Sequence, residues 1–359
     1  MAQLPPPVHG AALRNKSLLD SELLNNEFRI INLPLRFVEN MTDMGKFSLK
    51  KIWLMIVHCF NMISIMTSKQ VDLVYFTMSP SGGAFYRDIL FITIIKLFRK
   101  KRILHFRVKG IKKTASSALG KFLVRYAFKG SEIVCLSKHH MLDTEGLTDR
   151  RPFLVPNGIK IETQFLHLSD EKRPSLVPRL LFLSNLSAKK GIPDLIDALD
   201  ILKNKGYRFN AGIIGNEWDM TFAQVQEMIS GRRLDHEVKL EGPKFGKEKF
   251  EAIAQADIFV FPTYFELFPG VILEAMQFGK AIVSTFEGSI PEMIDNNVNG
   301  ILVQQQNVNA LADAIAFFLD NPEKIIEFGT LAKKKFFEEF TLQAFELKMH
   351  SVFKEVLNK

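Results

Sequence analysis

The chain reads as an α/β protein made of two doubly wound domains, each a parallel sheet with helices on both faces. Three observations predict this. Short apolar runs alternate with amphipathic stretches along nearly the whole chain, the pattern of parallel strands joined by crossover helices. Its 359 residues are long for one core and comfortable for two. The alternation breaks once, at the turn Pro156-Asn157-Gly158 and the charged, linker-like stretch from Ser169 to Pro178.

Composition bounds the rest. Apolar content of 47% and charged content of 24% are those of an ordinary globular protein. Cys59 and Cys135 lie in apolar runs and read as buried hydrophobes of a reducing compartment. The Pro-rich start has no apolar signal core, so a cytoplasmic location is expected. Ile52 to Met66 falls short of a membrane span and predicts a helix buried in the first domain. Residues 1–156 hold 24 Lys+Arg against 11 Asp+Glu, whereas the remainder holds 23 against 28. From Lys96 to Lys129 there are 12 basic residues and no acidic one. A solvated face and an anionic partner explain that run equally well, and anionic lipid headgroups or a lipid diphosphate fit such a partner. No nucleic-acid-binding signature occurs, so nucleic acid is not expected.

In order, the first domain predicts a helix over Leu13–Leu24, a strand over Phe28–Leu33, a helix over Phe47–Met66 and a strand over Val71–Thr77. A helix over Phe85–Phe98, a strand over Arg102–Val108, a helix over Ser116–Lys129 and a strand over Glu132–Ser137 follow. Gly10, in the opening Pro-rich loop, permits close backbone approach to a phosphate, and a plain turn reads equally well. His105 and Arg107 sit near the carboxyl end of their strand, where α/β folds gather ligands. A packed core histidine is the commoner case.

The second domain predicts strands at Arg179–Ser184, Phe209–Gly215, Val238–Glu241, Ile258–Phe261, Lys280–Ser284 and Ile301–Val303. The first of these ends in Asn185-Leu-Ser-Ala-Lys-Lys190-Gly191, before a helix with Pro193 in its first turn. Helices are expected over Met220–Ser230, Lys247–Gln255, Val271–Phe278, Ala310–Leu319, Ile325–Phe340 and Thr341–Leu357.

The densest signal is residues 257–274. A buried strand ends at Pro262, an aromatic loop carries Glu266, and Phe268-Pro269-Gly270 opens a helix with Glu274 about one turn inside it. Each carboxylate alone has a plain reading, as a solvated loop residue or as a complement to the helix dipole. Together with a helix N-terminus at a sheet's carboxyl edge, they point to an anion site.

This E-x7-E arrangement resembles the donor-binding half of GT-B glycosyltransferases of the large retaining family, family 4. The likeness runs from about Pro5 to the end and is densest over residues 180–303. It implies two Rossmann-like domains facing a cleft: 1–156 for the acceptor, 157–335 for a nucleotide-sugar donor, and 336–359 as a helix crossing back. In that family a strand precedes the opening loop, so the first strand is expected to be missing here, through a late start or through loss.

The resemblance also implies roles. Lys190 matches a lysine that holds the donor diphosphate, and Asn185 replaces an arginine. Glu274 would take the ribose diol, Gly270 and Val271 the diphosphate, and Glu266 the sugar hydroxyls. Phe268 belongs to the same loop, and Lys244 and Phe245 lie where relatives seat the base. Relatives often show His-x-His-Gly where this chain has His105 and Arg107, so Arg107 is expected at a phosphate or acceptor. No metal and no other cofactor is expected. The function implied is retaining transfer of a sugar from a UDP- or GDP-sugar to a lipid-linked or saccharide acceptor, in bacterial surface polysaccharide assembly. The basic 96–129 region would touch an anionic membrane. A nucleotide-sugar epimerase of the same fold and a truncated, non-catalytic sugar-nucleotide-binding protein are the alternatives.

Overall fold

The computed structural model describes residues 1–5, 10–37, 48–170 and 177–359. Of the expectations above, Pro6 to His9 of the opening loop, the helix start at Phe47 and residues 171–176 of the linker lie outside it. Two compact units result, Met1–Asn157 with Leu342–Lys359, and Gly158–Thr341.

Unit 1 opens with α1 (Gly10–Leu19) and α2 (Glu22–Glu27) where one helix is predicted. Ser21 divides them, because its hydroxyl caps the second helix by accepting from the Leu24 N–H. Then come α3 (Leu49–Ser68), β1 (Leu73–Thr77), α4 (Gly82–Leu97), β2 (Lys101–His105), α5 (Ile111–Thr114), α6 (Ala118–Phe128), β3 (Glu132–Cys135), α7 (Lys138–Met141) and β4 (Phe153–Leu154). The strands pair in parallel in the order β1-β2-β3-β4.

Unit 2 contains α8 (Thr163–Asp170), β5 (Arg179–Leu183), a 3-10 turn (Ala188–Lys190), α9 (Ile192–Asn204), β6 (Asn210–Ile214), α10 (Phe222–Gly231), β7 (Val238–Glu241) and α11 (Gly246–Gln255). It continues with β8 (Ile258–Phe261), α12 (Gly270–Gln277), β9 (Ala281–Thr285), α13 (Ile290–Met293), β10 (Ile301–Val303), α14 (Val308–Asp320) and α15 (Pro322–Glu339). Its parallel sheet runs β10-β9-β8-β5-β6-β7. Every residue of β8 and β9 is buried, as central parallel strands covered on both faces require. α9 packs with α10 and α14, and α12 packs with α15.

The final helix, α16 (Leu342–Asn358), belongs to unit 1. Side chains alternate across the unit 1 strands. Val74, Phe76, Leu104 and Ile133 join Met62 of α3, Ile92 of α4 and Val124 of α6 in one core. Ile103 and Val134 point the other way, onto Phe345, Met349 and Val352 of α16.

Two expectations for unit 1 need correction. Phe28 to Leu33 forms no strand. Its sequence suits one, but a strand needs a partner ladder. At this place the Met1 amino group donates to the Tyr75 carbonyl at 2.7 Å, and the Leu35 N–H donates to the Ala2 carbonyl at 3.0 Å. A cavity of about 480 Å³ lies beside them, lined by Ile30, Leu33, Leu73 and Tyr75 among others. The second correction concerns α3. It is apolar as predicted but not buried: only His58, Met62 and Met66 are covered.

Candidate active site

Strand order in unit 2 reverses between β5 and β8. Chains leaving neighbouring strands at such a point diverge, and the carboxyl edge opens into a crevice. The loop after β5 carries Asn185 and Lys190. The loop after β8 carries Glu266 and leads into α12. Topology alone therefore brings both loops to one place.

The β5 loop is held from below. The Leu186 N–H donates to the Asn216 carbonyl at 2.6 Å. Asp219 accepts from the Ser187 hydroxyl at 2.9 Å and from the Ala188 N–H at 3.1 Å. These bonds fix the 3-10 turn that presents Lys190. Gly191 then lets the chain pass against the end of β8. Its φ is +78°, and a Cβ there would lie 2.1 Å from the Pro262 carbonyl oxygen. The Tyr264 N–H and Thr263 hydroxyl both donate to the Lys189 carbonyl, at 3.1 and 3.2 Å. The two loops are thus stitched through the Lys189 carbonyl.

Lys190 reaches across this seam. Its ammonium donates to the Phe265 carbonyl at 3.1 Å and pairs directly with the Glu266 carboxylate. The two side chains keep 19% and 27% of their surface exposed, so a ligand can reach both. Glu266 is braced from a third loop. Its N–H donates to Glu287 at 3.1 Å, and Glu287 in turn accepts from Gln305 at 2.7 Å. The Ser289 N–H donates to the Leu267 carbonyl at 2.8 Å. Gly288, with φ +55°, sits where a Cβ would come within 2.5 Å of the Glu266 carbonyl oxygen.

α12 begins beside Glu266. Gly270 and Val271 are its first residues, and the leading N–H groups of a helix have no intrahelical acceptor. Pro269 before them has no N–H. Glu274 lies on the second turn, where Lys249 of α11 pairs with one of its oxygens at 2.8 Å. The other oxygen is buried and has no hydrogen-bond partner among the described residues. The arrangement offers a cation, a carboxylate acceptor beside it, a helix N-terminus and a half-used second carboxylate. Such a set suits a ligand with both a phosphate and hydroxyl groups.

Sequence reasoning missed Asp219, Lys249 and Glu287 as parts of this site. None carries a local signal. Each acts on a residue distant in the chain, except that Glu287 stands in the Glu-Gly-Ser run after β9.

The remaining candidates are placed as follows. Asn185 is exposed at the end of β5. Phe268 packs its ring edge-on against Phe340, with centroids 6.2 Å apart. Lys244 pairs with Glu241 at 2.6 Å, and Phe245 is exposed at the N-cap of α11. Gly10 is the first residue of α1 and faces open space. In unit 1, His105 is fully buried and meets the Tyr75 hydroxyl at 2.8 Å. Burial, with Arg107 and His140 nearby, pushes its imidazole well below the ordinary range, so it is neutral. Arg107 donates to Asn15 at 3.0 Å, to Asn157 at 2.7 Å and to the Tyr75 hydroxyl at 3.3 Å. Both side chains turn into unit 1, and the Arg107 fork is already engaged by the protein.

Comparison with known proteins adds the following. Residues 167–335 match the sequence profile of the family Glycosyl transferases group 1. The amylovoran biosynthesis glycosyltransferase AmsK of Erwinia amylovora is 31% identical over 207 residues, covering 56% of this chain and 50% of that protein. The N,N'-diacetylbacillosaminyl-diphospho-undecaprenol alpha-1,3-N-acetylgalactosaminyltransferase of Campylobacter jejuni is 25% identical over 276 residues, covering 74% of this chain and 66% of that protein. The chain therefore spans half of the first relative's length and under two thirds of the second's. The structure of Anabaena Alr3699/HepE in complex with UDP aligns with a TM-score of 0.68 at 18% identity, covering 87% of this chain and 85% of that one. At that identity the likeness shows the fold alone, GT-B, with two parallel-sheet α/β domains. The matched segment, 167–335, carries the Lys190–Glu266 pair and α12.

Proposed function

We propose that the protein is a glycosyltransferase that moves a sugar from a UDP- or GDP-sugar to a lipid-linked or saccharide acceptor, with retention of anomeric configuration. The observation that carries this reading is the meeting of Lys190 and Glu266 beside the N-terminus of α12. Glu274 accepts from the ribose diol. Gly270 and Val271 donate to the diphosphate. Lys190 neutralises the phosphate as the sugar's anomeric carbon–oxygen bond breaks, which is where negative charge grows. Glu266 holds sugar hydroxyls and fixes the pose. The acceptor oxygen takes the anomeric carbon, and its proton passes to the departing phosphate. Charge stabilisation falls to Lys190 and the helix end, so the reading requires no metal or other cofactor.

The neighbours support this setting. HepE was solved with UDP, the Erwinia protein is named for amylovoran biosynthesis, and the Campylobacter enzyme's name specifies a diphospho-undecaprenol acceptor. Bacterial surface polysaccharide assembly at the cytoplasmic side of a membrane fits these relatives. There the basic 96–129 region would contact anionic lipid.

Calorimetric titration of UDP and GDP into the wild type and Glu274→Ala tests the donor site. Micromolar binding of one nucleotide, lost in the variant, is expected. Failure of both nucleotides to bind would overturn the reading. Sugar transfer to an acceptor separates it from its rivals, since an epimerase would convert the donor sugar without an acceptor and a non-catalytic binder would turn over nothing.

A further inference from the structure

Helices α3, α4 and α6 lie side by side on one face of the unit 1 sheet. Their inner residues, such as Met62, Ile92 and Val124, are packed onto the strands. A surface helix so packed ordinarily has a polar outer side. α3 does not. Leu49, Trp53, Ile56, Phe60 and Ile63 recur at helical spacing and are all exposed. Tyr86 and Leu90 of α4 and Phe122 of α6 are also exposed on these neighbouring helices. Single exposed apolar side chains need no explanation, but a stripe of this length does.

On the three helices themselves the exposed charge has one sign. Lys69 follows α3, and Lys113, Lys121 and Arg125 lie on or beside α6, all exposed. The only acidic residue within α3, α4 and α6 is Asp88, which is fully buried and paired with Arg87. An apolar stripe with Trp and Tyr, bordered by lysines and lacking exposed carboxylates, matches the interface of an anionic bilayer. A second copy of the chain would bring like charges face to face.

We propose that this face docks on an anionic lipid bilayer, with α3 lying in the plane of the interface. Its outer stripe enters the boundary between headgroups and acyl chains, about 5–10 Å deep. α3 is long and apolar enough to cross a membrane. However, Met62 and Met66 hold its inner side in the unit 1 core, so it cannot cross while that core is intact. This deepens the membrane contact of the proposed function and rests on that part of it alone.

The test uses Trp218→Phe, which leaves Trp53 as the only tryptophan of the two in the chain. Vesicles of phosphatidylglycerol and phosphatidylcholine are compared with phosphatidylcholine alone. Co-flotation about tenfold greater on the anionic vesicles is expected, with Trp53 emission shifted to the blue and quenched by lipids brominated near the headgroup. Trp53→Gln combined with Phe60→Gln should lower flotation about tenfold while leaving nucleotide binding by unit 2 unchanged. Flotation with Trp53 unquenched would overturn the role of α3 and leave contact through the basic region standing. Absence of flotation would overturn both. A blue-shifted Trp53 without lipid, in a particle of twice the chain mass by light scattering, would assign the face to self-association and overturn the proposal.

Discussion

Lys190 and Glu266 stand 76 residues apart in the chain and meet as an ion pair across the seam between the loops after β5 and β8. The pairing follows from topology. The reversal of strand order puts the two loop origins side by side, and the bonds from the Tyr264 N–H and the Thr263 hydroxyl to the Lys189 carbonyl close the gap.

Because the two side chains act at one locus, Lys190→Met and Glu266→Gln should each lower kcat/KM about 10²- to 10³-fold. The double variant should lose little more than the worse single one, as groups acting as a unit do. The pair keeps 19% and 27% of its side-chain surface exposed, so solvent still screens it and its loss should cost about 1–2 kcal/mol. Melting temperatures should therefore shift by only a few degrees, and additive kinetic losses would argue that the pair does not act as a unit.

Gly191→Ala should be costly for a backbone reason. The substitution places a methyl group 2.1 Å from the Pro262 carbonyl oxygen at a φ of +78°. Strain and overpacking together cost about 2–5 kcal/mol, or about 5–15 °C in the melting of unit 2. Gly231→Ala is the control. It lies at the end of α10 with open space around its Cβ direction, and a gain of about 0.5 kcal/mol is expected. Differential scanning calorimetry of both variants checks the contrast.

Unit 2 was largely legible in the sequence because its strands are continuous apolar runs punctuated by Pro and Gly. Ile258–Phe261 is bounded by Asp257 and Pro262, and the observed strand has those limits. Phe28–Leu33 was not legible, since its β-rich composition says nothing about whether a partner strand exists. The apolar content of α3 identified a helix, but which of its sides finds a neighbour is decided by the sheet beneath. Lys190 and Glu266 were found as candidates, yet their contact is a property of strand order. Asp219 and Lys249 gave no signal, because an acid after Trp218 and a lysine in an amphipathic helix are ordinary surface residues until the residues they hold are known.

Acid should weaken unit 1 in a defined window. His140 is fully buried in α7 and accepts the Leu136 N–H at 3.3 Å. Burial pushes its imidazole from 6.5 down to about 4. Between those values the unfolded chain binds a proton that the folded chain does not. Stability is therefore complete above pH 6.5 and falls as the pH drops towards 4. The loss is about 2 kcal/mol by pH 5. His105 shifts in the same direction and adds to it. Urea unfolding near neutrality and at about pH 5 should show a smaller fall in midpoint for His140→Gln than for the wild type. An equal fall would remove His140 from the account.

Lys249 tests how the second carboxylate is used. It holds one oxygen of Glu274 at 2.8 Å, leaving the other without a partner among the described residues. Each carboxylate oxygen accepts through two lone pairs, so the ion pair and a ribose diol can be bound together. In that arrangement the lysine fixes the carboxylate's rotamer, which favours the diol. Lys249→Met should then weaken UDP or GDP binding about five- to tenfold, roughly 1–1.4 kcal/mol. The same nucleotide lacking both ribose hydroxyls should bind wild type and variant alike. Equal losses for the two ligands would mean that Lys249 supports the fold of the α11–α12 region rather than the diol. If the wild type binds both ligands equally, it is the assignment of Glu274 to the ribose that fails, whatever Lys249 does.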